Sequence, residues 1–413
     1  MRKIQDNDRF YNFLVRYLNV TFPMCYRKIE RRNLDAIPKD GAVIFAPNHA
    51  NTLMDAFAVL ITDGKPKVFV ARADIFKKKP ISDILHFFKM LPINRIRDGV
   101  ENLAANDAIM KQCIDVLCDG VAFCILPEGR HRPMHSLLPL KKGIARIAFG
   151  AYEQIKERMP IYIVPVGLEY EDYFEFRSRL LITIGSPLHL QQFVEEHKEF
   201  NEQELYRHLL LDLEQKMKET IIYLPDDERY EGVWEAANVL SGRETAESDN
   251  LQERKRRIQA IAERLLKRNP NVIEREKRRA ERRRALRIRL RSRVVRRKGW
   301  ELILRGLALV ILSPVALLGA LLILPALILT AVIKRKLKDQ TFINSIRYVA
   351  CYVVNPIVML LICLVCLFFA PWWACLGAYV LSFIGQIAVY DWTNAVHHLV
   401  SDIKYHRYRK SIE

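Results

Sequence analysis

The spacing of hydrophobic positions changes character along the chain. Residues 9–22, RFYNFLVRYLNVTF, place Phe10, Phe13, Leu14, Tyr17 and Leu18 at helical spacing. Such a stripe either faces a core or lies in a bilayer surface, so residues 1–24 are expected to form an amphipathic N-terminal helix. From about 25 to 225 the period alternates. Short β-rich runs (GAVIFA, KVFVA, VAFCIL, IYIVPVGL and LLITIG) are separated by helical stretches such as ENLAANDAIMKQCIDVLCDG. This alternation predicts an α/β domain with a central, largely parallel sheet flanked by helices. Residues 226–250 are polar and read as a linker. Residues 251–298 are helix-prone without a sustained heptad, so 226–300 is expected to be a linker followed by a basic helical segment.

Beyond residue 300 the pattern loses its polar half. Gly306–Ile333 and Tyr348–Tyr390, 28 and 43 residues long, carry no charge. A bilayer span needs roughly 20 apolar residues, so residues 301–391 are predicted to be an all-α transmembrane region. The longer stretch is about two spans, interrupted at APWW, where Pro371 and two interfacial tryptophans suit a turn. The shorter one is awkward. As one helix it would run about 42 Å, and as two arms about 21 Å each, against a core of about 30 Å. A hairpin bending near Gly319, between Pro314 and Pro325, keeps KRKLK (334–338) and the basic tail 392–413 on the same side as residues 254–298. That arrangement is favoured over a single tilted span.

Charge sharpens this picture. The formal net charge is +18, yet residues 254–298 alone hold 21 Lys/Arg against four Glu, leaving +1 for the rest. Basicity is therefore local, and it ends against an apolar helix, where cations favour anionic headgroups. An arginine-rich helix can also bind RNA, and a membrane-tethered nucleic-acid binder is the remote alternative. No nucleic acid is expected. The opening MRKIQDNDRF is charged and lacks the apolar core of a signal peptide. Of eight cysteines, four (Cys351, Cys363, Cys366 and Cys375) lie in the second apolar stretch. CLVC there reads as small apolar residues within a span, and neither disulfides nor a metal are expected. His397 and His398, adjacent on a helix, point about 100° apart and receive no function.

Chemistry concentrates in the alternating region. PNHANTLMDA (47–56) follows the first strand, and PEG (127–129) follows VAFCIL, so both fall on loops beyond the carboxyl ends of strands, where ligands gather in parallel sheets. On one helix His49 and Asp55 would point about 240° apart. They meet if His49 lies on the preceding turn and Asp55 on the second helical turn, with Asn51 or Thr52 as cap.

Further motifs follow in order: LPINRIRDG (91–99), ILPEGRHRP (125–133), LLPLKKGIARIAFGA (137–151) and IVPVGLEYEDYFEFRSRLLITIGSPL (163–188). The chain here resembles the glycerolipid acyltransferases, the glycerol-3-phosphate and lysophosphatidic acid acyltransferases, with their Asn-His-x4-Asp, arginine, Pro-Glu-Gly and Val-Pro-Val/Ile blocks. The resemblance covers roughly residues 25–190 and implies a catalytic domain over 25–225. Five residues separate His49 from Asp55 where the family has four. That spacing, with LLPLKxG and FRSR, resembles the fungal-type glycerol-3-phosphate/dihydroxyacetone-phosphate acyltransferase subgroup. Arg130-His131-Arg132 replaces the usual Thr-Arg-Ser, and no role is transferred to those three.

The resemblance and the chemistry imply the same roles. An alcohol attacking a thioester needs a base, which a neutral histidine supplies with a contribution of roughly 10²–10⁴. His49 would be that base and Asp55 would hold its tautomer. Arg95, with Arg97 assisting, and Lys141 or Lys142 would bind the acceptor phosphate. Glu128, with Gly129, would orient glycerol hydroxyls or an arginine. Pro165 and Val166 would shape the acyl-binding wall, or simply pack a strand. The expected protein is a membrane-bound acyltransferase of phospholipid synthesis without a cofactor. Acyl-CoA or acyl-carrier protein would be the donor and the sn-1 hydroxyl of glycerol-3-phosphate or dihydroxyacetone phosphate the acceptor, with 1-acylglycerol-3-phosphate as the close alternative. The six-position spacing favours the former. The catalytic domain is expected on the cytoplasmic face of a bacterial inner membrane or of the endoplasmic reticulum.

Overall fold

The computed structural model describes residues 3–93, 103–268 and 270–413. The chain divides into two compact units: through Phe22, Arg31–Glu169 and Leu181–Ile221 in the first, and Pro23–Glu30, Tyr170–Leu180 and Ile222–Glu413 in the second.

The first unit opens with helix α1 (Arg9–Thr21), capped by the Asp8 carboxylate accepting from Tyr11 N. The sheet is built from β1 (Lys28–Arg32), β2 (Ala42–Pro47), β3 (Val68–Arg72), β4 (Met90–Ile93), β5 (Phe123–Cys124), β6 (Ile161–Tyr170), β7 (Arg179–Ile184) and β8 (Leu188–His189). Their order is β1-β7-β6-β2-β5-β3-β4, with β8 pairing β6 antiparallel. β2 lies parallel to both β5 and β6, and β3 parallel to β4 and β5. All six residues of β2 are buried, as expected for a central strand covered on both faces, which reads as an unbroken apolar run. The connecting helices are α2 (Leu53–Leu60), α3 (Lys79–Phe87), α4 (Leu103–Cys118), α5 (Gly143–Ile155), α6 (Leu190–Glu196) and α7 (Glu202–Thr220).

In α1 the buried side is Tyr11, Val15, Leu18 and Thr21. Of the stripe read from the sequence only Leu18 is buried, while Phe10 and Phe13 are 60% and 59% exposed. Their rings stack at 6.3 Å, and Phe10 meets Phe87 of α3 at 5.7 Å. The buried Lys89 pins the segment before α1 through Nζ to the Ile4 and Asp6 carbonyls. Phe10 and Phe13 therefore point outward and do not face a core.

The second unit is helical. Helices α8 (Tyr230–Glu247), α9 (Leu251–Arg268) and α10 (Pro270–Ala285) share a core that includes Leu224, Val233, Ala237, Ile258, Leu265 and Ile273, and α11 (Leu290–Val295) follows them. The stretch expected to be a linker thus contains a packed helix. Its carboxylates explain the arginine bias downstream. Glu235, 1% exposed, takes both Arg283 and Arg293; Glu231 takes Arg284; Glu247 takes Arg243 and Arg297. Arg283, Arg284, Arg293 and Arg297 are thus matched by acids about fifty residues away, which a count of local composition overlooks.

Helices α12 (Gly299–Leu322), α13 (Leu324–Lys336), α14 (Ile343–Val349), α15 (Asn355–Cys366) and α16 (Trp372–Ile412) complete the unit. Among the described residues, three helical stretches are long and apolar enough to cross a membrane: Gly299–Leu322, Gln340–Cys366 and Trp372–Ile412. The turn expected at APWW is present, with Pro371 at the N-cap of α16. The bend expected near Gly319 is not. α12 begins seven residues before the charge-free stretch, accommodates Pro314, and at 24 residues reaches about 36 Å. It breaks at Ile323, because Pro325 has no N–H and its ring would clash one turn back. The Leu322 carbonyl beside the break accepts from the fully buried Asn355, which satisfies a backbone acceptor that the break leaves without a helical partner. Gly319 serves packing instead. A Cβ there would fall 2.8 Å from the Gly385 carbonyl oxygen of α16, so only glycine permits this crossing.

Candidate active site

The site assembles where β2 ends. Pro47 closes the strand, and Asn48 anchors the following turn to β6: its Nδ2 donates to Leu168 O at 3.1 Å and its Oδ1 accepts from Leu168 N at 2.7 Å. His49 comes next, its side chain 17% exposed. The chain then turns through Thr52, whose φ of 52° is rare for a β-branched residue, and enters α2.

Asp55 lies in the first turn of α2, not the second, and neither Asn51 nor Thr52 caps the helix with its side chain in the way expected. The aspartate instead reaches back from the first turn to hold the chain that precedes the helix. Fully buried, its Oδ2 accepts from Ala50 N at 2.9 Å and Asn51 N at 2.7 Å, and lies 2.8 Å from His49 Nδ1. A carboxylate there makes Nδ1 the protonated nitrogen and leaves Nε2 as acceptor. The pairing is not an accident of a loop: the same oxygen fixes the backbone on which the histidine sits.

Glu128 follows β5. It is 2% exposed, its Oε1 accepts from His49 N at 2.7 Å and its Oε2 from Leu138 N at 2.8 Å. Burial pushes its carboxyl up to about 7, although both backbone N–H groups pull the other way. Both oxygens therefore accept from backbone N–H groups, one of them that of His49. Gly129 has φ +69°, the left-handed conformation that suits glycine in this turn. The loop returns to His49, with Arg132 N donating to His49 O at 2.9 Å and the His131 ring edge-on to the His49 ring at 5.4 Å.

Lys141 N donates to Pro127 O at 2.8 Å, which sets this lysine beside the Pro-Glu-Gly turn. Lys142 Nζ instead donates to Gln203 Oε1 in the first turn of α7, at 3.1 Å. Pro165 and Val166 are buried in β6, in register with Ala46 and Pro47, and Val166 O accepts from Asn48 N at 3.3 Å. Arg95 and Arg97 lie outside the described residues. Sequence reasoning gave no role to Asn48, nor to the buried pair His135 and Glu169, whose Nδ1 and Oε1 are 2.9 Å apart. For Asn48 a signal existed in its place just after the strand-ending proline.

The sequence profile of the family described as Acyltransferase matches residues 28–169. Glycerol-3-phosphate O-acyltransferase 2 of Saccharomyces cerevisiae is 41% identical over 64 residues, 16% of this chain and 8% of that protein. Glycerol-3-phosphate O-acyltransferase 1 of the same yeast is 36% identical over 66 residues, 16% of this chain and 9% of that one. The match thus spans less than a tenth of either curated relative. The crystal structure of the 1-acyl-sn-glycerophosphate acyltransferase PlsC from Thermotoga maritima aligns at 18% identity with a TM-score of 0.36, covering 52% of this chain and 83% of that one. Residues 28–169 are an acyltransferase domain. The profile match and the yeast relatives together support a glycerolipid type of acyltransferase for this domain.

Proposed function

We propose that this chain is a membrane acyltransferase that esterifies the sn-1 hydroxyl of glycerol-3-phosphate or dihydroxyacetone phosphate, drawing the acyl group from acyl-CoA or acyl-carrier protein. The observation that carries this reading is the His49–Asp55 pair at 2.8 Å on the carboxyl edge of β2. Nε2 takes the proton from the acceptor hydroxyl as its oxygen attacks the thioester carbonyl. The C–O bond forms, the C–S bond breaks, and the imidazolium returns the proton to the leaving thiolate. Asp55 stabilises that imidazolium without itself becoming protonated. The acceptor hydroxyl occupies the place a serine takes in hydrolases, so no acyl-enzyme is needed.

Glu128 in this reading is a positioning residue, setting the backbone of His49 from below. Arg95, Arg97 and Lys141 bind the acceptor phosphate, and Pro165 and Val166 border the acyl chain. The three apolar helices and the outward aromatics of α1 support a bilayer-bound enzyme, which we place with its catalytic domain on the cytoplasmic face. A second reading, acylation of 1-acylglycerol-3-phosphate to phosphatidate, is favoured by the structural neighbour's acceptor. The six-position His–Asp spacing and the yeast relatives favour the first. The test offers purified protein glycerol-3-phosphate, dihydroxyacetone phosphate and 1-acylglycerol-3-phosphate separately, each with acyl-CoA and with acyl-carrier protein. Transfer to glycerol-3-phosphate supports the proposal. Transfer confined to the lysolipid replaces it with the second reading, and transfer to none of them refutes both.

A further inference from the structure

The loop from Glu128 to Leu138 is tied to the catalytic turn at two points, Glu128 Oε1 accepting from His49 N and Arg132 N donating to His49 O, while Glu128 Oε2 closes the loop on itself by accepting from Leu138 N. Between Arg132 and Leu138 the loop carries short-range bonds, Met134 N to Arg132 O at 2.9 Å and Arg132 Nη2 to Ser136 Oγ at 2.6 Å, and a contact reaching out of the loop would fix it in place. His135 supplies it. Its side chain is 5% exposed, and its Nδ1 lies 2.9 Å from Oε1 of Glu169, 6% exposed. Glu169 directly follows Leu168, the residue whose N–H and carbonyl are both taken by Asn48. The pair therefore fastens the loop to the same point of β6 that anchors the catalytic turn.

We propose that His135 and Glu169 form a buried lock that positions the 128–138 loop, and with it the His131 and Arg132 contacts on His49. Two ionisable groups out of water are costly unless matched to each other. An apolar pair would fill the same space without orienting anything. A histidine–carboxylate pair adds direction, and the segment it directs carries Arg130, His131 and Arg132 to the rim of the base. Both residues act through others, so they are positioning residues rather than catalytic ones.

The inference rests on the acyl-transfer reading, and the test separates the two. In the full-length protein, His135→Ala should lower kcat roughly tenfold to a hundredfold, the scale expected for misplacement of about 1 Å, with the KM for the acyl donor unchanged. His135→Gln, a polar side chain that can reach Glu169, should restore most of that loss. The double variant H135A/E169Q should be no worse than H135A, because both changes break one lock. A second readout needs no activity. Hydrogen exchange of the 129–138 amides should quicken at least about tenfold in H135A while the β2 and β6 amides keep their protection. Inactive wild-type protein whose loop amides still respond would fail the functional reading and leave the lock standing. Wild-type kcat in H135A, additive losses in the double variant, or loop exchange unchanged from wild type would each overturn it.

Discussion

Two buried glutamates, one in each unit, show what the two halves of this chain do with charge. Glu128, in the sheet unit, is held by two neutral backbone N–H groups, and burial pushes its carboxyl up to about 7. Glu175, in the helical unit, is also buried, yet His398 and Arg289 outweigh that burial and hold it down to about 2. The same contrast runs through both units. Asp55 satisfies two peptide N–H groups and an imidazole, so its charge is left to act on the histidine. Glu235 meets two guanidinium groups and is spent in neutralising them. Carboxylates surrounded by neutral donors stay chemically useful, whereas those surrounded by cations hold helices together. The basic segment belongs to the second kind of architecture more than its composition suggests.

The comparison can be broken most sharply at Asp55. Asp55→Asn should lower kcat by roughly 10²–10⁴, since an amide oxygen cannot serve all three donors and the imidazole loses its tautomer control. Initial rates with saturating acceptor measure this, and a loss below about threefold would mean that the carboxylate only caps α2. In the helical unit the corresponding cut is Glu235→Ala, which leaves Arg283 and Arg293 buried beside one fewer carboxylate. Removing one side of such a pair costs about 3–5 kcal/mol, read as a lowered denaturation midpoint in detergent, with kcat per folded molecule retained. An unchanged midpoint would show that water solvates those arginines.

Arg95→Ala should raise the KM for the phosphorylated acceptor by about tenfold and leave the donor KM alone, as expected when binding common to ground and transition state is lost. An effect confined to the donor would remove Arg95 from the acceptor site. The smallest expected effects are those of pH on stability, and they have opposite signs. Glu128 has a raised pKa, so its contribution is complete below the ordinary glutamate value of about 4.5 and fades as pH rises toward about 7. Glu175 has a lowered pKa, so its contribution is complete above about 4.5 and is lost as pH falls toward about 2. Unfolding curves of Glu128→Gln and Glu175→Gln against wild type should flatten the first window in one variant and the second in the other. A shift in the same window for both would contradict the contrast.

Much of this was legible in the sequence because it is local. The runs GAVIFA and IYIVPVGL read as buried strands since they are apolar on both faces, and His49 with Asp55 lies within one turn of chain. The first-turn placement of Asp55 was not legible, because it depends on the left-handed Thr52 rather than on helical periodicity. Nor was α8, whose polar surface hides the few apolar residues that pack. The acid partners of the arginines and the His135–Glu169 pair depend on contacts 34 to about 60 residues apart, which spacing rules do not reach. The break at Ile323 was expected four residues early because a glycine was read as a bend when its role is close helix packing.

The central claim is that His49 is the general base of an acyl transfer. The most direct measurement compares wild-type protein with His49→Ala in transfer of a radiolabelled acyl chain from acyl-CoA to glycerol-3-phosphate, with both proteins shown to be folded by their unfolding midpoints. The account predicts ester formation by the wild type and a loss of at least roughly 10²-fold in the variant, the lower bound for removing such a base. A folded His49→Ala protein that kept more than about a tenth of the wild-type rate would contradict it.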